Sequence, residues 1–137
     1  MPLADILSCP EDQLLDAITC EEPYSIGVWC FAKRIGELEL IQLGRVLGIG
    51  VSKFDLVGDP LPEGPWPQAF PDGFTNRVRQ LADDETESVV AEWSAAEEFQ
   101  HAGGPTGELA ESLERYLKEL RDFLKANEGP FFLVNRL

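Results

Sequence analysis

At 137 residues, with 44% hydrophobic side chains, the chain has the means for one domain around one core and little of the composition of a disordered segment. Its formal net charge of −14, from 25 acids against 11 bases, disfavours direct binding to DNA, RNA or an anionic membrane, because phosphates are held by Lys and Arg; a basic protein partner is permitted. Cys9, Cys20 and Cys30 have no CxxC spacing, and no basic residue precedes the first apolar patch; the expectation is free, mostly buried thiols in a reducing cytoplasm, with no secretory leader and no membrane span.

Pro2 to Leu7 reads as a short apolar turn or helix. Ser8-Cys9-Pro10-Glu11 resembles a helix start, with Ser8 and Glu11 in the reciprocal positions of a capping box and Pro10 in the first turn. Leu14, Leu15, Ala17 and Ile18 continue it at helical spacing, and Glu21-Glu22-Pro23 ends it. Ser25 to Gly48 is ambiguous between helix and strand in its first half. The length of the run predicts a buried helix capped by Ser25, a bend at Gly36, and a second helix with Leu38, Leu40, Ile41, Leu43, Val46 and Leu47 around most of its circumference. Gly48 or Gly50 marks its stop. Gly48 to Lys53 (GIGVSK) lacks the GxxxxGK[ST] register of a phosphate loop.

The 54–73 stretch holds Pro60, Pro62, Pro65, Pro67 and Pro71 with Gly58 and Gly64. That density predicts no regular element, only an ordered crossover laid over the helices. Trp66 and Phe70 within it are candidates for a recognition surface, since Trp is enriched at binding hot spots; the plainer role is to anchor the loop to the core. Asp72 to Ala82 resumes helix. Asp83, Asp84 and Glu85 open another, where carboxylates suit the positive end of the dipole. Val89, Trp93 and Ala96 share its inner face, and Glu92, Glu97 and Glu98 lie outside that seam. After Gly103-Gly104-Pro105, a helix from Thr106 to Ala126 carries a continuous stripe of Leu109, Leu113, Tyr116, Leu117, Leu120, Phe123 and Leu124. Such a stripe must be covered by the rest of the chain. Phe131 to Val134 is apolar almost to the last residue and must dock, as a strand if Tyr24 to Ala32 offers an edge, otherwise in a groove.

The fold expected is therefore mainly α: a single-domain helical bundle over 1–137 of about five or six helices, with the ordered 54–73 loop, an apolar 130–137 tail and room for a short C-terminal strand. No cofactor or metal site is expected. Three cysteines and His101 match the number of ligands of a zinc site but not the spacing, the Asp83 to Glu87 cluster is better explained by capping, and His101 suits a helix C-terminus.

Charge is unevenly spread. Met1 to Glu22 has six acids and no base, Pro23 to Leu81 balances, and Ala82 to Glu128 has thirteen acids against four bases. The functional expectation is a non-enzymatic, cytoplasmic, acidic protein-binding module of the kind represented by immunity proteins and antitoxins, which mask a basic protein. Its candidate contact residues are Glu92, Glu97, Glu98, Trp66 and Phe70. The alternatives are a small enzyme or enzyme subunit using a cysteine or carboxylate in a pocket under the 54–73 loop, and a structural protein that self-associates by exchanging its 130–137 tail.

Overall fold

The apolar run after Pro2 is extended. Leu3–Ser8 forms strand β1, and its residues alternate between two buried faces: Ala4, Ile6 and Ser8 on one, Asp5 and Leu7 on the other. A strand covered on both sides shows no polar alternation, so its sequence reads like a turn of buried helix. The structure, a computed structural model, describes residues 3–22, 24–31, 35–50, 53–58, 62, 64–95 and 107–136.

Among these residues the chain runs through β1, a 3-10 turn at Glu11–Gln13, α1 (Leu14–Thr19), β2 (Val28–Phe31), α2 (Glu37–Val46), β3 (Asp55–Leu56), β4 (Trp66–Ala69), α3 (Asp72–Arg79), α4 (Asp83–Ser94), α5 (Gly107–Ala126) and β5 (Phe131–Arg136). The strands form one antiparallel sheet in the order β2-β1-β5-β4-β3. This is an α+β architecture, and it corrects the all-helical bundle expected from periodicity.

Three local expectations change with it. The Ser25–Gly36 half of the ambiguous run supplies β2, not an inner helix. Ser8 belongs to β1, so α1 begins through a 3-10 turn after Pro10 with no side-chain cap. The proline-rich stretch holds two strands where none was expected. Pro67 is accommodated within β4 because its carbonyl accepts from the Val57 amide at 2.9 Å, on the β3 side. The donor that proline lacks would point the same way, toward the short edge strand, and the ladder to β5 is untouched.

The C-terminal tail is not an appendage. β5 lies between β1 and β4, pairing Leu133 with Ile6 on one side and with Gln68 on the other. β1 thus separates it from the 24–32 segment, which was the edge expected to receive it. Gly129 introduces the strand at φ +87°, where an added Cβ would meet the Phe131 ring at 2.8 Å; only glycine fits that approach.

The sheet divides the interior in two. On one face, Ala4, Ile6, Phe131 and Leu133 meet α2–α5. Leu113, Leu117, Leu120 and Leu124 of α5 are buried here, as their stripe predicts, while Leu109 and Phe123 are half-buried at its margin. Trp93 is fully buried, and its indole N–H donates to the Glu39 carbonyl at 2.7 Å, fastening α4 to α2. Phe54, Phe70 and Phe74 form an aromatic cluster with centroids 4.9–5.8 Å apart. On the other face, Leu7, Phe132 and Val134 pack with Cys9 and with Leu14 and Ala17 of the short α1, and Ile18, Ile26, Trp29, Val57 and Ala69 lie partly buried against them.

Arginines tie the helical layer together. Arg121 of α5 is 8% exposed and donates to the Asp83 carboxylate at 2.6 Å and to the Leu81 carbonyl at 3.4 Å. Arg79 of α3 donates to the carbonyls of Leu124 and Asn127, each at 2.8 Å, and its guanidinium lies 5.2 Å from the Phe131 ring centre. These contacts close the end of α5, where carbonyls lack intrahelical partners. A polar chain joins β4 to its neighbours. The Gln68 amide donates to Glu37 and to the Phe54 carbonyl, while Asn135 donates to Gln68 Oε1 at 2.7 Å. Among the described residues no helix is long and apolar enough to cross a membrane.

Candidate functional site

Helix α1 covers its face of the sheet together with Ile26, Trp29 and Val57. Its inner residues Leu14 and Ala17 are buried, and Leu15 is 69% exposed. Beside it lies an open cleft of about 360 Å³. Leu14, Leu15, Ile18 and Thr19 form one wall; Val57 and Gly58, with Gly64, Pro65 and Pro67, form the other. The volume falls at the lower end of the range for small-ligand pockets, about 300–1,000 Å³. Gly64, at φ +81°, shapes this wall: a Cβ there would meet the Trp66 ring at 3.0 Å.

Among the described residues Glu11 is the only titratable side chain lining this cleft. It also lines a second one of about 260 Å³, where Asp72, Thr75, Asn76, Arg79 and Glu128 surround the apolar floor of Phe70 and Phe131. The two clefts share Glu11 of the 3-10 turn as a lining residue, and the pair makes up the groove, the first cleft its apolar end and the second its polar end. Arg79 is the one base among the described residues of the polar end; its donors are held by Leu124, Asn127 and, at 3.4 Å, Asn76, all neutral acceptors, so its charge stays there against the three carboxylates of Glu11, Asp72 and Glu128. Among the described residues Glu11, Asp72 and Glu128 have no basic partner. Asp12 of the 3-10 turn and Asp16 of α1 are exposed, as Leu15 is.

The residues singled out from sequence are dispersed. Glu92 is exposed on α4. Glu97, Glu98 and His101 lie outside the described residues. Trp66 is half-buried on the helix-facing side of β4, next to Asn135 and turned from the groove. Phe70 is buried in the aromatic cluster and reaches only the floor of the polar end. The groove residues Glu11, Leu14, Leu15, Ile18, Asp72 and Glu128 were not foreseen. An off-face Leu15 on a short helix inside a base-free segment was the one signal pointing there.

The thiols are poorly placed for chemistry. Burial pushes the Cys9 thiol up, with Asp12 adding to it. Burial, then the charges of Glu119 and Asp5, push Cys30 up to about 11. Both are protonated at neutral pH, whereas a nucleophilic cysteine needs a depressed pKa. None of the three cysteines lines either part of the groove. Among the described residues no three His, Cys, Asp or Glu side chains gather as metal ligands would. No protein-family model, curated protein or solved structure matches the chain. What fold and site define is an acidic α+β protein with an apolar groove set among unpaired carboxylates.

Proposed function

We propose that the protein is a non-enzymatic, acidic binding module of the cytoplasm that captures a more basic protein, in the manner of an immunity protein or antitoxin. The observation that carries this reading is the pairing of exposed, unneutralised carboxylates with an open apolar groove. The excess of 25 acids over 11 bases leaves most carboxylates with no base to pair with. Carboxylates speed and orient the encounter with a basic surface, and apolar burial then slows its dissociation. The raised pKa values of Cys9 and Cys30 do not favour these two thiols as nucleophiles, and the pairing of 131–136 within the chain's own sheet supports the binding reading over the exchange of a tail.

Crosslinking in the cells that make the protein, followed by association kinetics with the partner recovered, tests this. The partner should be basic, and its on-rate should fall steeply as salt is raised. Reversing Glu92, Glu97 and Glu98 to Lys should lower the on-rate at low salt. An acidic partner, or an on-rate indifferent to salt, would overturn the reading.

A further inference from the structure

We infer that the partner is gripped in the groove beside α1 and not on the outer face of α4, and that the segment gripped presents a large apolar side chain with Lys or Arg next to it. The inference rests on the reading of the protein as an acidic capture module and assigns that reading a place and a ligand chemistry.

Shape and charge lead to the same occupant. The apolar end offers Leu14, Leu15 and Ile18 opposite Val57, Pro65 and Pro67, so only an apolar group gains by entering it. The polar end, reached past Glu11, adds Asp72 and Glu128, so that three carboxylates face the single cation of Arg79 among the described residues. An anionic or purely apolar ligand would leave those carboxylates uncompensated as water is displaced. A cationic side chain adjacent to an apolar one satisfies both ends together. The rim repeats the pattern: Asp12 of the 3-10 turn and Asp16 of α1 are exposed near Leu15 in the chain, and no base occurs between Met1 and Glu22. Glu92, exposed on α4, is not among the described residues that line either cleft.

The test is an NMR titration of the full chain, isotope-labelled, with a short helical peptide built of Lys, Leu and Ala. Two control peptides replace every Leu by Ala or every Lys by Glu. Amide shifts should concentrate in 11–19, 57–58, 64–67 and 72–79. Binding should weaken by about tenfold or more with either control peptide, and with Leu15→Ser or the triple variant Glu11→Gln, Asp72→Asn, Glu128→Gln. These positions are exposed, so a retained dispersed spectrum shows that each variant is folded. Shifts centred on Glu92, with groove variants that bind normally, would overturn the groove assignment and leave the acidic capture reading standing. Equal binding of the Lys and Glu peptides would overturn both.

Discussion

Consecutive alanine substitutions in β5 probe the architecture where it departs most from a helical bundle. Leu133 and Val134 are each fully buried, yet they point to opposite faces of the sheet, Leu133 to the helical layer and Val134 to the α1 side. A segment lying in a surface groove would bury one of two neighbouring side chains and expose the other. Leu133→Ala removes buried atoms from the main core and leaves a cavity, at a cost of about 2–5 kcal/mol. Val134→Ala removes two methyl groups, about 1.6 kcal/mol at about 0.8 kcal/mol per buried carbon, before any cavity contribution. Both are large against a total stability of roughly 5–15 kcal/mol. Urea unfolding followed by circular dichroism reads the two midpoints, with the slope checked for constancy. A variant at either position with an unchanged midpoint would refute the placement of β5 between β1 and β4.

Titration supplies two further expectations. The Arg121 hydrogen bond, followed by its charge, holds the Asp83 carboxyl below its ordinary value. A lowered folded pKa gives stability that is present above the unfolded value and lost as pH falls through the folded one. Asp83→Asn should therefore lower the urea midpoint at neutral pH and lose that difference in acid; an equal difference at every pH would count against the pair. Cys30 behaves oppositely. Its raised pKa favours the folded state fully below the ordinary value of 9.0, and that contribution is lost as pH rises toward about 11. Labelling of Cys30 by a thiolate-directed reagent, read by mass spectrometry, should be slower in the folded protein than in urea at pH about 9. Equal rates would show that the thiol is not held by its surroundings.

The helices of the C-terminal half were legible because each buries one face and wets the other. The α5 stripe and the α4 seam through Val89 and Trp93 show that contrast directly, and both meet the main core. The sheet was hidden for the opposite reason. β1 and β5 are covered on both faces, so Leu3–Ser8 and Phe131–Arg136 carry no alternation to mark them as strands. β2 is short and contiguous with the run that becomes α2, and β4 contains a proline that is tolerable only because it faces the edge strand. The site was divided in the same way. Its acidity is visible as a base-free opening segment, but the groove brings Glu11, Val57, Pro65, Asp72 and Glu128 together through strand pairing across most of the chain. No local spacing announces that meeting.

Competition at the groove examines the whole account. With the basic partner bound, the Lys, Leu and Ala peptide should displace it in a concentration-dependent way, and Leu15→Ser should weaken partner and peptide together. A partner that stays bound at saturating peptide, with undiminished affinity for the Leu15→Ser protein, would contradict it.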